Sequence, residues 1–124
     1  MRVIYPRGPI IPQHLMIVPL RHVKELSGLS PDESRDLISA YGCMKKALYD
    51  TDRITGGNLF VNDGEEAGQH VPHVHFHMFG RSDHEPISPY KILNSLNEYS
   101  IEQLDDQEIR LRADKFGEAV QKYR

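Results

Sequence analysis

The chain has 124 residues, of which 39% are hydrophobic and 27% charged, as is usual for a soluble globular protein with one core. Its formal net charge of −3 gives no broad basic surface, which argues against a nucleic-acid polymer as partner. A lone cysteine excludes an intrachain disulfide. We find no signal-peptide pattern and no apolar run near the roughly 20 residues of a membrane helix, so we expect a cytoplasmic protein.

The first part of the chain predicts one strand and one long helix. Three prolines interrupt any regular strand in residues 1–13, whereas residues 14–19, which are apolar after His14, predict a buried strand. Ser30 and Glu33 are spaced as a capping box around Pro31, so a helix is expected to begin there. Four residues at helical spacing give this helix one apolar face: Leu37, Tyr41, Met44 and Leu48.

The second half predicts two further strands and a last helix. The glycine pair at 56–57 ends the connection after the first helix, residues 58–62 predict a strand, and 63–68 predict a turn-rich loop before a histidine-containing strand. Residues 82–99 are polar with prolines and predict a loop. A helix over about 105–123 is expected to pack on the core or on a partner through one face: Ile109, Ala113, Phe116, Val120 and Tyr123.

Three histidines, His73, His75 and His77, alternate with apolar residues in that last strand. Successive side chains of a strand point to opposite faces, so the imidazoles would share one face at spacings of about 7 Å. The other face would then pack into the core through three apolar residues: Val74, Phe76 and Met78. This strict alternation favours a functional site over a merely solvated row of histidines.

A metal centre is one interpretation of the three imidazoles. Two histidines at alternate positions of a strand can reach one zinc ion. However, His73 and His77 would lie about 13–14 Å apart on a regular strand, too far to share an ion. A third ligand would have to come from elsewhere, for example Asp83 or His84.

Nucleophilic catalysis is the other interpretation. A neutral imidazole can attack phosphorus and form a covalent phosphoramidate. Neighbouring imidazoles can then orient the nucleophile, donate hydrogen bonds to phosphate oxygens and handle the proton of the leaving group. The loop from Gly64 to His70 could add backbone and side-chain donors for phosphate.

Residues 73–79 follow the pattern HφHφHφφ, in which φ is apolar, and thereby resemble the histidine triad (HIT) proteins. Residues 12–22 are similar to the strand of that family that carries a fourth histidine, and residues 26–33 to its helix entry. Residues 61–69 are similar to the loop that precedes the triad. The resemblance therefore covers residues of about 5–81.

The resemblance implies an α+β HIT-like fold, in which a helix packs on an antiparallel sheet that continues across a homodimer. We expect a single domain over residues 1–124, with a core of about 5–81 and a C-terminal extension over 82–124 that ends in the last helix. The family hydrolyses or transfers nucleotides at the α-phosphate without a metal in the chemical step. We accordingly expect no cofactor and no metal, and the Cys-x-x-Cys pair that carries zinc in some members is absent.

The resemblance also assigns roles to individual residues. His75 would be the nucleophile that forms a nucleotidyl-histidine intermediate, and His73 would position and support it. His77 would bond the α-phosphate and the leaving atom, for which a protonated ring is more useful. His14 would be the fourth histidine, on the leaving-group side. Three further side chains are expected to hold the phosphates: Asn62, Gln69 and His70.

Two classes of nucleotide conjugate remain open as the substrate. The loop over residues 63–69 resembles that of the dinucleoside polyphosphate branch, which we favour, whereas Asn62 favours a nucleoside 5′-phosphoramidate. Pro6 stands where the family usually has a residue that binds the ribose, and the hairpin that usually precedes it is largely missing. We therefore keep a nucleotide-binding dimer with little turnover as the alternative, and we expect a base site that is shallow, completed by a partner or formed by residues 82–124.

Overall fold

One antiparallel sheet organises the described parts of the chain, which in this computed structural model are residues 1–84, 87–95 and 104–123. The sheet has the strand order β1-β2-β4-β3. Its strands are β1 (Arg2–Ile4), β2 (His14–Val18), β3 (Gly56–Val61) and β4 (Phe76–Arg81). The fold is α+β, as predicted, and β2 lies where residues 14–19 predict a buried strand.

The side chains of each strand alternate between the two faces of the sheet, so the two faces carry different residues. Leu15, Met78 and Leu59 lie on the face that packs against the first helix. The register places Met16 and Phe60 on either side of His77, so these side chains share the opposite face. We call this second side the histidine face.

The helix α1 (Pro31–Asp52) covers the core face of the sheet. Both hydrogen bonds of the predicted capping box are present, since the Ser30 hydroxyl accepts from the Glu33 N–H and the Glu33 carboxylate accepts from the Ser30 N–H. The helix ends at Arg53, which adopts a left-handed conformation with φ of 56°. Three residues of the predicted apolar face are buried, namely Leu37, Met44 and Leu48, while Tyr41 is partly buried and Ala47 is buried in addition.

A short helix, α2 (Pro89–Ser95), corrects the prediction of a loop over residues 82–99. Ser88 caps it by accepting from the Lys91 N–H at 3.2 Å, and Pro89 fits the first helical position. Ile92 is fully buried against Phe79 on the histidine face. The helix therefore depends on a tertiary contact that polar composition does not reveal; residues 85–86 and 96–99 of the predicted loop lie outside the described ranges.

The last helix, α3 (Asp106–Gln121), confirms the helix expected over about 105–123. Asp105 caps it by accepting from the Glu108 N–H. Phe116 packs with Leu15 and Met44 in the core between the sheet and α1. None of the helices in the described ranges combines the length and apolarity needed to span a bilayer.

The strands differ from the predictions at three places. β1 (Arg2–Ile4) forms within residues 1–13, where an interrupted strand is predicted, because it ends before Pro6, the first of the three prolines. The glycine pair at 56–57 belongs to β3 and does not end a connection. β4 begins only at Phe76, because the Val74 N–H bonds the carbonyl of Val23 and the His73 N–H bonds the carbonyl of Val71. His77 is consequently the only triad histidine within the strand, while His73 and His75 lie on the chain that leads into it.

Candidate active site

The site lies on the histidine face, where the chain enters β4 beside the end of β2, and it continues along these two strands to His14. The ring centroids of His75 and His77 are 5.1 Å apart, and those of His77 and His14 are 5.2 Å apart. His73 stands next to this row, with its ring edge-on to His22 at 5.4 Å. The structure thus brings His14 into one row with the triad, although His14 precedes His73 by 59 residues.

Hydrogen bonds within this row determine where each proton resides. The backbone N–H of Ile10 donates to His14 Nδ1 at 3.2 Å, so a neutral His14 carries its proton on Nε2. His14 Nε2 lies 2.9 Å from His77 Nδ1 and therefore donates to it. His77 must then carry its own proton on Nε2. The row ends in an N–H donor without requiring a charged imidazole.

Burial keeps both of these histidines neutral. It lowers the pKa of His14 to about 3, with a smaller contribution from the neighbouring His77. It lowers the pKa of His77 to about 4, with His75 adding to the effect. Phe79, whose ring stacks on that of His14 at 4.3 Å, and Ile92 behind it exclude water. The structure thus presents His77 as a neutral donor, whereas the resemblance implies that a protonated ring is more useful.

The free energy of unfolding should depend on these two pKa values. Below the ordinary pKa of 6.5 the unfolded chain takes up protons at His14 and His77 that the folded protein does not bind. Stability is therefore expected to fall as the pH drops from 6.5 towards 4. Urea denaturation at a series of pH values should show this slope, and His14→Phe should reduce it between pH 6.5 and about 5, where most carboxylates are still ionised.

The control for this prediction is His84→Ala, because His84 is exposed and bonds only the exposed Asp83 at 3.4 Å among the described side chains. It should keep the slope of the unmodified protein. Equal slopes in all three proteins would show that the buried pair is not the source of the pH dependence.

His75 is oriented by the main chain of its neighbour. His75 Nδ1 lies 3.0 Å from the carbonyl oxygen of His73, and since a carbonyl only accepts, Nδ1 bears the proton. The lone pair of His75 then resides on Nε2. His73 is itself held because its Nε2 donates to the carbonyl of Pro19 at 3.0 Å. This geometry presents an unprotonated ring nitrogen from a fixed ring.

An apolar cavity of about 380 Å³ opens beside His73 and His75. It is lined chiefly by β1, β2 and the chain before β4: Ile4, Met16, Val18, Pro19, Leu20 and Val71. None of the described residues after Arg81 lines it, so a base site formed by residues 82–124 stays a prediction that this cavity does not support. A larger cavity of about 810 Å³ lies on the other side of the sheet, between α1, α3 and β1, and no histidine lines it.

Gln69 is buried and ties together the loop that precedes the triad. Its amide nitrogen donates to the carbonyls of Lys24 at 2.7 Å and Val71 at 2.9 Å, and its amide oxygen accepts from the Gly64 N–H at 2.9 Å. Gly64 and Gly68 have φ of 95° and 88°, so the turn between them uses conformations that favour glycine. The amide nitrogen of Gln69 is thus engaged within the protein, and the phosphate-binding role that the resemblance implies for Gln69 stays a prediction.

This arrangement predicts that Gln69 acts on stability. Gln69→Leu leaves buried backbone groups unpaired and should lower the free energy of unfolding by about 1–3 kcal/mol. Glu66→Gln, an exposed change in the same loop, should alter it by less than about 0.5 kcal/mol in urea denaturation. A raised KM for substrate with unchanged stability of Gln69→Leu would indicate a phosphate ligand and would contradict this view.

Of the other predicted side chains, Asn62 and His70 lie near the triad, whereas Asp83 and His84 lie far from it. Asn62 directly follows β3, and continuing the register by one residue places it opposite His75 on the histidine face. His70 is exposed on the chain leading to the triad. Asp83 and His84 lie beyond the far end of β4, roughly 25 Å of extended chain from His75. Within the described ranges, no three His, Cys, Asp or Glu residues cluster as metal ligands do.

Several functional groups escape a motif search because they are main-chain atoms. The carbonyls of His73 and Pro19 and the N–H of Ile10 fix the imidazoles, yet any residue supplies such groups. Phe79 is different, because its place at alternate spacing from His77 would have put it on the histidine face. That periodicity was the one available signal for the ring that buries His14.

The antiparallel sheet and the row of imidazoles at the start of β4 are the features by which the protein can be assigned to a family. The family model described as the HIT domain matches residues 1–84 of the chain. The protein therefore belongs to the HIT domain family, as the triad pattern predicts.

Individual relatives support this assignment. The chain is 36% identical over 73 residues to the bis(5′-nucleosyl)-tetraphosphatase [asymmetrical] of Schizosaccharomyces pombe, which covers 59% of this chain and 40% of the relative. It is 38% identical over 101 residues to a bis(5′-adenosyl)-triphosphatase of Saccharomyces cerevisiae, covering 78% of this chain and 43% of the relative. The chain thus spans about two fifths of the length of these curated relatives.

Solved structures share the fold. A Hit-like protein involved in cell-cycle regulation from Bartonella henselae superposes with a TM-score of 0.75 at 18% sequence identity. The match covers 94% of this chain and 78% of that protein. At this identity the likeness concerns the fold alone.

Proposed function

We propose that the protein hydrolyses a nucleotide conjugate at its α-phosphate through a nucleotidyl-histidine intermediate on His75. The observation that carries this proposal is the hydrogen bond from His75 Nδ1 to the carbonyl of His73, which leaves the lone pair on Nε2 beside the cavity. A nucleophile needs that lone pair and a fixed direction of attack. His73 supplies the direction through its carbonyl and its own bond to Pro19.

The reaction has two displacements. His75 Nε2 attacks the α-phosphorus, a P–N bond forms, and the bond to the bridging atom breaks so that its electron pair leaves with the second product. His77 Nε2–H donates a hydrogen bond to the charge that develops there. Water then attacks the same phosphorus, the P–N bond breaks, and the proton lost by water passes to solvent. His75 regains its lone pair.

The neutral row of histidines favours a polyphosphate over a phosphoramidate. A nucleoside polyphosphate leaves as a stable anion and needs only a hydrogen-bond donor, whereas an amine needs a full proton. His14 and His77 provide one donor but no spare proton, since burial lowers both pKa values. The names of the relatives, a tetraphosphatase and a triphosphatase of dinucleosides, favour the same substrate class.

The surroundings of His75 fit the remainder of a nucleotide. The 380 Å³ cavity is of the size and apolar character of small-ligand sites and would take the nucleoside base. Asn62, whose amide bonds none of the described residues, and the exposed His70 would contact the phosphates. Gln69 would hold the loop that carries them.

Turnover of two substrates at pH 7 tests this proposal. Purified protein should hydrolyse a dinucleoside polyphosphate faster than a nucleoside 5′-phosphoramidate, because the Nε2–H of a neutral His77 stabilises an anionic leaving group but does not supply a full proton to an amine. Faster turnover of the phosphoramidate at pH 7 would favour the alternative substrate, and binding of AMP without turnover of either would refute the hydrolase.

A homodimer is part of the proposal. β3 forms an edge of the sheet, and its outer side pairs with no strand of the described residues. A second copy could extend the sheet there by antiparallel pairing. Sedimentation equilibrium should give twice the mass of 14.3 kDa, and a monomer at micromolar concentration would contradict the dimer.

A further inference from the structure

α3 contacts the catalytic half of the molecule although it lies outside residues 1–84, where the family model matches. Arg112 Nη1 donates to the hydroxyl of Tyr5 at 2.9 Å, and Arg112 is itself held by Glu108 at 2.7 Å. Arg7 pairs with Asp106 at 3.1 Å. The chain between β1 and β2 is thus attached to α3 at more than one point.

Tyr5 connects Arg112 to the residues just before His14 through its hydroxyl group. Since its oxygen accepts from Arg112, the Tyr5 hydroxyl uses its own hydrogen to donate to the carbonyl of Pro12 at 2.9 Å. The ring is buried and stacks on Phe116 of α3 with centroids 6.0 Å apart. Both ends of the segment from Tyr5 to Pro12 are therefore fastened to one buried hydroxyl.

That segment contains the N–H donor that determines which ring nitrogen of His14 carries the proton. The N–H of Ile10 bonds His14 Nδ1, and the carbonyl of Ile11 accepts from the N–H of His14. If the segment moved away, His14 Nδ1 could carry the proton, and His14 Nε2 would then accept instead of donating. His77 would have to turn its only proton inward to Nδ1 and would lose the donor that faces the substrate.

We propose that Arg112 and Tyr5 are positioning residues of the active site, which hold the segment before β2 so that Ile10 selects the His14 tautomer needed for an Nε2–H donor on His77. The importance of this selection for turnover rests on the proposed function. The tautomer itself does not, and it can be measured without any substrate.

Nitrogen NMR of the protein labelled at histidine tests this directly, because it reports which ring nitrogen carries the proton. We expect His14 in the unmodified protein to be unprotonated at Nδ1. Arg112→Gln and Tyr5→Phe should give mixed tautomers at His14 and His77. Arg110→Gln, an exposed arginine on the same helix, is the matched control and should leave the spectrum unchanged.

Kinetics give the second readout. Both variants should lower kcat for the dinucleoside polyphosphate by about tenfold with KM changed by less than about twofold, because the donor is misplaced while the nucleotide site is intact. The pKa of His14 should also rise towards its ordinary value as water reaches the ring, which nitrogen spectra recorded at decreasing pH report. A merely structural role of α3 would reduce stability without changing this pKa.

Three results decide between the possibilities. The proposal would be overturned if both variants fold and show the same histidine tautomers and the same His14 pKa as the unmodified protein. If Arg112→Gln fails to fold, Tyr5→Phe still decides, since it keeps the stacked ring and removes only the hydroxyl. If the unmodified protein turns over no nucleotide, the proposed function fails, while the tautomer spectra still accept or reject the positioning role.

Discussion

Replacing His75 with alanine should lower kcat for the best nucleotide conjugate by about 10⁴-fold or more, because no covalent intermediate can form. The side chain is half-exposed at the cavity and bonds only the carbonyl of His73 among the described groups. The free energy of unfolding should therefore change by less than about 1 kcal/mol. Steady-state kinetics and urea denaturation of the same preparation separate the two effects.

His84→Ala is the matched control, since it removes an exposed imidazole beyond the far end of β4. It should retain the kcat of the unmodified protein. His75→Gly should show the same loss as His75→Ala. Wild-type turnover by purified His75→Ala would show that another group performs the attack.

Replacing His77 should reveal whether the site needs a neutral donor or a proton. His77→Ala removes the Nε2–H group and should lower kcat by about 10²–10³-fold, the usual cost of losing one preorganised donor. His77→Gln places a neutral amide N–H near the position of Nε2 and should recover most of that loss. The expectation follows from the bond between His14 and His77 at 2.9 Å, which leaves the proton of His77 on Nε2.

Turnover of both variants with a dinucleoside polyphosphate provides the comparison. Circular dichroism and urea denaturation should confirm that each variant is folded, because His77 contacts the buried Phe79. If glutamine were as damaging as alanine in folded protein, a charged imidazole would be the acting species, and a neutral donor would be excluded.

Much of the fold follows from local signals in the sequence. The capping box at Ser30 and Glu33 marks the start of α1, and residues 14–19, which are apolar after His14, mark β2. Both signals are local hydrogen bonds or burial patterns that the sequence carries directly. The missed helix α2 is different, because Ile92 is buried by Phe79, which belongs to another element.

The sequence names the residues of the candidate site, but it does not reveal the hydrogen bonds between them. Alternation places the triad on one face, and the resemblance adds His14, yet neither reveals that His14 bonds His77. That contact requires the register of β2 against β4, in which Met16 faces His77. The tautomers depend further on backbone groups whose positions only the fold determines. Gln69 shows the same limit, since its amide is engaged by backbone atoms of two separate segments.

The stereochemical course at the α-phosphorus distinguishes a covalent intermediate on His75 from direct attack by water. A substrate with a chiral phosphorothioate at that position, hydrolysed in water enriched in heavy oxygen, reports the number of displacements. Attack by His75 followed by attack by water inverts the phosphorus twice, so we expect retention of configuration. Inversion would mean that water attacks directly, and it would contradict a nucleotidyl-histidine intermediate on His75.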